Sequence, residues 1–188
     1  MSIIIEALPT SLVIGGEDCP IRCDFRTWLK FARETAATDI SADKVLDIIS
    51  LIFYDIPPNF AQMWQAVVNF YNPQEYQSTA RAEQAAKRIY DFEYDAKLIY
   101  AAFLQQYRID LTTAGLHWWQ FKALFDSLGE DTQFVKVTQY RSVNLSEVKD
   151  KKQKEFYRKM QRLYMLPDNR TEEQKQADID REIAAAFG

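Results

Sequence analysis

The single histidine of the chain, His117, is the first side chain to weigh for acid–base chemistry. A histidine base needs an orienting carboxylate and a nucleophile within reach. Ser127 and Ser142 could supply a hydroxyl, but neither lies in the G-x-S-x-G pattern that exposes a catalytic serine. The sequence therefore favours a histidine on a helix surface or one hydrogen-bonded within the core. We predict no catalytic residue and no enzymatic activity.

Candidate metal ligands are also few. Asp91, Glu93 and Asp95 form an acidic cluster in which Asp91 and Asp95 would share one helix face. A hard cation needs several converging oxygens, and no glycine-containing acidic loop supplies them here, so a solvated helix face is the favoured interpretation. Cys19 and Cys23 are spaced too far apart along a strand for an easy disulfide. With one histidine and two cysteines, a four-ligand zinc site built from cysteine and histidine alone is excluded, and we predict no metal, no cofactor and reduced cysteines.

The strongest charge feature is a basic run near the C-terminus, within one predicted helix. Its cations are Lys149, Lys151, Lys152, Lys154, Arg158, Lys159 and Arg162. Glu147, Asp150 and Glu155 interleave with them, which favours ion pairs on a solvated surface. RNA or an acidic partner is the alternative interpretation. The net charge of -4 and pI of about 5.1 argue against a general nucleic-acid-binding protein.

Length and composition indicate one helical domain. A chain of 188 residues can bury one substantial core, and 47% hydrophobic with 27% charged residues is ordinary for a globular protein. Aromatic residues reach 14%, whereas glycine and proline number only five and six, which favours long helices over many short strands. No apolar run reaches the roughly 18 residues of a membrane span, and the N-terminus shows no basic segment followed by the apolar stretch typical of a signal peptide. The chain is therefore expected in the cytosol.

A β-hairpin is predicted at the N-terminus, over about residues 3–23. It includes the β-branched run at 3–5 and two short strands, 12–14 and 21–23, joined by the glycine turn Gly15-Gly16-Glu17-Asp18. The two glycines match neither phosphate-binding pattern, G-x-x-x-x-G-K-[ST] or G-x-G-x-x-G. Such a small hairpin must pack on the helices to be stable.

Helical periodicity follows from Asp24 onwards. Predicted helices, with their candidate caps, are 25–34 (Asp24), 42–54 (Ser41), 59–70, about 85–107, 132–140 (Asp131) and a last one reaching about 165 (Ser146). Residues 77–86 are either a mobile loop or the start of a solvated helix. Candidate buried side chains include Phe60, Met63, Trp64, Val67 and Phe70 in the third helix, and Val148, Phe156, Met160 and Leu163 in the last. Residues 167–188 are predicted to form a polar tail that is either frayed or a loosely docked helix, because the segment has few apolar side chains to bury.

The segment 116–128 contains two adjacent tryptophans, and we predict a helix there with Thr113 as a cap and a stop near Gly129. Its apolar stripe contains Trp118, Phe121, Phe125 and Leu128, while Trp119 lies about 100° away around the helix. Two interpretations stay open, a core helix or a docking face for a partner. Trp118 is the tryptophan expected in the core.

The fold class that follows is mainly α: a single helical domain over residues 1–166 with a small N-terminal β-hairpin, and a polar tail over 167–188.

Several segments, taken in order, carry a family resemblance. They are Asp91-Phe92-Glu93-Tyr94-Asp95, Ile99 to Phe103, Tyr107 to Leu111, Leu116-His117-Trp118-Trp119-Gln120-Phe121, Asp131 to Phe134 and Tyr140-Arg141. The chain resembles the bacteriophage "gene product fifteen" family, encoded in the tail modules of long-tailed phages and prophages. The likeness runs from the Leu8-Pro9 hairpin to Leu166-Pro167, and the Leu-His-Trp-Trp-x-Phe string is its most specific part.

This resemblance implies a function in tail assembly. Such proteins are encoded where tail assembly chaperones are found, and those chaperones coat the tape measure protein before the tube polymerises and are then absent from the virion. The resemblance implies no catalytic residue; Trp118, Trp119, Phe121 and Arg141 match its motif and are the candidate partner-binding residues. The implied partners are the tape measure protein and other tail proteins in the host cytoplasm, with no membrane or nucleic acid.

The alternative is a structural tail or head–tail connector component of the virion. Pairing between the basic helix near Lys151 and the acidic segment near Asp91 would give a homo-oligomer.

Overall fold

A computed structural model describes residues 3–35, 42–73 and 88–168, together with Gln176 and Asp180. Within these ranges it confirms a mainly helical fold with a two-stranded antiparallel N-terminal hairpin. The elements are β1 (Ser11–Ile14), β2 (Glu17–Pro20), α1 (Phe25–Glu34), α2 (Ala42–Ile52), α3 (Phe60–Tyr71), α4 (Ala96–Tyr107), α5 (Trp118–Asp126), α6 (Gln133–Ser142) and α7 (Lys151–Leu163). Most of the predicted tail, and the whole of 77–86, lie outside the described residues.

The hairpin forms around the predicted glycine turn, but its second strand is Glu17–Pro20 and the predicted strand at 21–23 is wrong. Pairing resumes directly after the two glycines, where Glu17 pairs with Ile14. Gly15 and Gly16 have φ values of 65° and 87°, which is the left-handed conformation that a two-residue hairpin turn requires and that glycine adopts without strain. Ile14 pairs with Glu17 and is fully buried. The Gly15 N–H donates to the side chain of Gln62 at 2.8 Å, so the turn is fixed to α3.

The predicted β-run at residues 3–5 is wrong. These residues form a turn, and Ile4 and Ile5 are largely exposed. The β-branched sequence satisfies local strand propensity, but among the described residues no neighbouring strand pairs with it, and propensity alone does not form a sheet.

The segment between the hairpin and α1 joins three parts of the fold. The Arg22 N–H donates to Ile52 O at 2.8 Å, and the Arg22 guanidinium donates to carbonyls at the C-terminal end of α2. On the other side the Trp118 N–H donates to Cys23 O at 2.7 Å. Asp24 caps α1 as predicted, since its carboxylate accepts from the Arg26 N–H at 2.9 Å. This extended segment therefore fixes α1, α2 and α5 relative to one another.

Helices α2 and α3 follow the predicted pattern with two corrections. The second helix ends at Ile52 instead of residue 54, because Phe53 forms a bridge with Ile21; its proposed cap, Ser41, lies outside the described residues. Asn59 caps α3. Phe60 is exposed, not buried, because the buried face begins one turn later at Met63.

The fourth helix begins at Ala96, eleven residues later than the predicted start at 85. Residues 92–95 are a turn instead, held by the Asp91 carboxylate, which accepts from the backbone N–H groups of Glu93 at 2.9 Å and Tyr94 at 2.6 Å. Aspartate competes in this way with the helical hydrogen-bond pattern. Asp91 and Asp95 consequently do not share a helix face as predicted.

The last three helices have caps one to four residues later than the predicted ones. His117 caps α5 in place of Thr113, Thr132 caps α6 in place of Asp131, and Asp150 caps α7 in place of Ser146. Ser146 belongs to a separate turn, in which the Asn144 side chain accepts from the Ser146 N–H at 3.1 Å. The fifth helix ends at Asp126, before Gly129.

The core is a layer of aromatic rings between α1, α3, α4 and α5. Phe25 and Phe103 both stack on the ring of Phe121, with ring-centroid distances of 4.8 and 5.1 Å. The ring centroids of Trp28 and Phe70 are 4.5 Å apart. The high aromatic content of the sequence is therefore used mainly for interior packing. Of the described helices, none is both long and apolar enough to cross a bilayer.

Candidate partner-binding surfaces

Trp118 is a core residue, as the helical stripe predicted. Its side chain is buried, its ring stacks on Tyr71 at 5.1 Å, and its indole N–H donates to the Tyr71 carbonyl at 2.9 Å. Burial also raises the pKa of the Tyr71 phenol far above its ordinary value, which keeps that ring neutral. The double-tryptophan helix is thus anchored to the end of α3 by Trp118.

Trp119 and Phe121 occupy different environments on α5. Phe121 is buried in the stack between Phe25 and Phe103. Trp119 is partly buried, and its indole N–H donates to Phe70 O at 2.8 Å. A partner that met this helix would therefore reach only the outer part of Trp119, and the predicted partner-binding role of the motif stays a prediction.

His117 is fully engaged in local hydrogen bonds. Its Nδ1 accepts from the Trp119 N–H at 3.1 Å, and the Gln120 side chain accepts from the His117 N–H at 3.0 Å, which completes a capping box. Because Nδ1 is an acceptor, the neutral ring carries its proton on Nε2, which donates to Pro9 O at 3.0 Å. Burial lowers the pKa of His117, although the Pro9 carbonyl opposes that shift. This is the hydrogen-bonded histidine that the sequence favoured.

Arg141 forms a buried ion pair with Asp95. Its guanidinium donates to the two carboxylate oxygens at 2.6 and 2.9 Å, and the side chains are only 5% and 1% exposed. The same guanidinium donates to Ile89 O at 3.1 Å and Tyr164 O at 2.6 Å. Arg141 therefore ties α6 to the turn before α4 and to the end of α7, and a planar group with several donors is suited to this task.

Asp91 supports the same turn from the outside. Burial alone would raise the pKa of its carboxyl, but hydrogen bonds from the Tyr94 and Glu93 N–H groups and the ion pair with Arg88 lower it. Of the acidic cluster, Asp95 is buried against Arg141 and Asp91 is engaged with Arg88, which leaves Glu93 as its exposed carboxylate. The cluster is a folded turn, not the solvated helix face that we predicted.

The four predicted partner-binding residues therefore serve mainly the interior. Trp118, Phe121 and Arg141 are buried, and Trp119 is partly buried. Arg141 owes its place to Asp95, 46 residues earlier in the chain. The motif therefore consists mainly of residues that stabilise the fold, and the three buried ones are not accessible to a partner.

The cysteine side chains carry no reactive geometry. Both are free thiols. Cys23 donates to Pro9 O at 3.3 Å, and burial raises its pKa to about 11. At neutral pH the thiol is protonated and a weak nucleophile. Across the described ranges, no three side chains of His, Cys, Asp or Glu come together as potential metal ligands.

The basic helix α7 also exposes apolar side chains that were predicted to lie in the core. None of its side chains is buried, and two of the predicted core residues, Phe156 and Leu163, are exposed. They share one side of the helix with Met160, Lys152 and Lys159. We call these five residues the outer face of α7. The concentration of lysine and arginine was the available signal, because a helix with so much charge has only a narrow stripe left for packing.

The whole chain was compared with protein families, curated proteins and solved structures. A family model described as Bacteriophage Gp15 protein matches residues 4–166. No curated protein and no solved structure showed significant similarity to the chain. The matched span begins before β1 and ends after α7, and so includes the aromatic core, the Asp95–Arg141 pair and the outer face of α7. The chain belongs to the bacteriophage Gp15 protein family.

Proposed function

We propose that this phage protein is a non-enzymatic tail-assembly chaperone that binds the tape measure protein in the host cytoplasm and is not retained in the virion. The observation that carries the proposal is the exposed apolar surface outside a well-packed core. A chaperone for an elongated helical client needs apolar side chains that are exposed until the client arrives.

The exposed apolar side chains are spread over several elements. Phe156 and Leu163 on α7 are 47% and 64% exposed. The other apolar side chains that are at least half exposed are Ile4, Ile5, Val13, Leu46, Tyr54, Ile56, Phe60, Tyr94 and Met165. The core itself has no buried side-chain polar atom without a hydrogen bond among the described residues. The buried polar groups are therefore hydrogen-bonded within the fold, and the exposed apolar side chains remain available for binding.

The state of the titratable side chains supports a function without catalysis. His117 uses both ring nitrogens in hydrogen bonds that cap α5 and bind the Pro9 carbonyl. Protonation at Nδ1 would break the cap, so this ring is poorly placed to act as a base. The Cys23 thiol is protonated at neutral pH.

Self-association is a separate proposal with weaker support. The predicted pairing of the basic helix with the acidic segment would depend on Glu93, since Asp91 and Asp95 already have partners. Light scattering at low and high salt tests it, and a monomer under all conditions contradicts it.

Co-expression with the tape measure protein of the same phage tests the proposed function. Affinity purification should recover the tape measure protein with several copies of this chain, and tape measure protein that is otherwise insoluble should stay in solution. Mass spectrometry of purified virions should not detect the chain at structural copy number. A stoichiometric virion protein, with no effect on the tape measure protein, would favour a structural tail or head–tail connector component instead.

A further inference from the structure

Among the described residues, helix α7 contacts the domain mainly through the side that faces α6. Gln161 donates to the carbonyls of Tyr140 at 3.0 Å and Val143 at 2.8 Å, and Tyr164 stacks on Tyr140 with a ring-centroid distance of 6.2 Å. These contacts fix the orientation of the helix. The outer face lies beside this contact and is presented to solvent with a defined geometry.

The outer face of α7 carries an apolar stripe. Phe156, Met160 and Leu163 follow the i, i+4, i+7 spacing by which one helix binds another. Phe156 is 47% exposed and Leu163 is 64% exposed, whereas Met160 is partly buried. Phe156 rests edge-on against Tyr140 with a centroid distance of 5.8 Å, so its ring is supported from below. A supported, half-exposed aromatic ring costs little entropy to bind.

Charge on α7 is opposite to that of the rest of the chain. The helix carries six cations and one carboxylate, a net of +5, while the whole chain is -4. The remainder is therefore about -9. Among the described residues, none of these six lysines and arginines forms a salt bridge: Lys151, Lys152, Lys154, Arg158, Lys159 and Arg162. Unpaired cations of one sign repel each other, and a partner of opposite charge relieves that repulsion.

An open groove of about 520 Å³ lies along this surface. Lys152, Phe156 and Lys159 of the outer face line it, together with Glu155, Arg158 and Arg162. The groove therefore combines an aromatic contact with a border of cations. A segment bound in it would meet the apolar and the cationic side chains of the outer face together.

We propose that the outer face of α7 binds an amphipathic α-helix whose polar side is acidic, supplied by the tape measure client. The apolar stripe of that helix packs on Phe156, Met160 and Leu163, and its carboxylates face Lys152 and Lys159. This inference rests on the proposed function for the identity of the client. The chemistry of the bound helix follows from the charge and the spacing on α7.

The experiment is a quantitative pull-down of the co-expressed tape measure protein by the full-length chain. Phe156→Ser/Leu163→Ser removes the apolar stripe, and Lys152→Glu/Lys159→Glu reverses the charge. Matched controls are Val68→Ser/Leu104→Ser on α3 and α4, at side chains that are each 40% exposed, and Lys30→Glu/Lys97→Glu on α1 and α4. Thermal unfolding of each variant verifies that the fold is kept.

Each α7 double variant should retain roughly a tenth or less of the wild-type affinity, because interface anchors cost more than about 1.4 kcal/mol when removed. The matched controls should bind like wild type. Wild-type binding should weaken between about 0.1 and 1 M salt, where the screening length falls from about 10 to 3 Å.

Three outcomes are distinguishable. If wild type does not bind the tape measure protein, the proposed function fails. If wild type binds and the folded α7 variants bind equally well, the function stands and the proposed surface is wrong. If the α7 charges are instead needed only for binding single-stranded RNA, with tape measure binding unchanged, the acidic-helix proposal is also overturned.

Discussion

Helices α5 and α7 look alike as sequence patterns, since each combines aromatic rings with charged residues at helical spacing. In the structure they differ completely. Three aromatic side chains of α5 are buried between α1, α3 and α4, whereas no side chain of α7 is buried. The difference depends on what surrounds each helix, because α5 has packed helices on several sides and α7 is packed against α6 along one side.

This contrast separates two uses of the same residue types. In α5 the indole N–H groups of both tryptophans donate to carbonyls at the end of α3, so the aromatic residues fix tertiary structure. In α7 the aromatic and aliphatic side chains lie at the surface among cations that form no salt bridge with any described residue. An amphipathic helix therefore indicates a surface to be covered, and the sequence alone does not say whether the cover is the same chain or a partner.

The largest expected effect comes from the core side of the comparison. Trp118→Ala removes a fully buried indole, its stacking on Tyr71 and its hydrogen bond, and should lower the free energy of unfolding by about 3–5 kcal/mol. Trp119→Ala should cost less, since that ring is partly exposed. Urea denaturation followed by circular dichroism measures both. Equal costs would mean that the two tryptophans are not distinguished by burial.

The next effect concerns the ion pair that connects the two regions. Arg141→Met leaves the Asp95 carboxylate buried without its partner, and should cost about 3 kcal/mol in the free energy of unfolding. Adding Asp95→Asn should recover part of that loss, because it removes the uncompensated charge. Urea denaturation of the two single variants and the double variant gives the coupling. Strictly additive losses would contradict a direct interaction.

A smaller effect is expected at the cap of α5. The pKa of folded His117 lies below its ordinary value of 6.5, so the unfolded chain takes up the proton first as pH falls. The stabilisation that neutral His117 contributes is complete above about pH 6.5 and is lost as the pH falls from 6.5 through the lower pKa of the folded state. His117→Asn keeps a cap acceptor and should remove this pH dependence, whereas His117→Ala should cost about 1 kcal/mol at pH 7.5. Urea unfolding curves between pH 5 and 8 measure this pH dependence. If the free energy of unfolding of His117→Asn changed with pH as steeply as that of wild type, the dependence would belong to other groups.

The smallest effect is expected on the outer face of α7. Leu163→Ser should change the free energy of unfolding by less than about 0.5 kcal/mol, because the side chain is already largely exposed. A cost comparable with that of Trp118→Ala would show that α7 is covered in the isolated protein and would remove the contrast between the two helices.

Local rules predicted much of the fold. Asp24 as a cap and the glycine pair as a hairpin turn depend on neighbouring residues, and the structure confirms both. The start of α4 was mispredicted because the Asp91 and Asp95 side chains stabilise a turn, and the second of these depends on Arg141, 46 residues away. The exposure of Phe156 and Leu163 could not be predicted either, since periodicity gives the face of a helix but not its neighbour.

Hydrogen–deuterium exchange on the complex with the tape measure protein tests the central claim most directly. The outer face of α7 should become protected on binding, seen as slower exchange in peptides from residues 151–163, while peptides from residues 118–126 should exchange equally slowly with and without the client. New protection confined to residues 118–126, with no change at residues 151–163, would contradict the account.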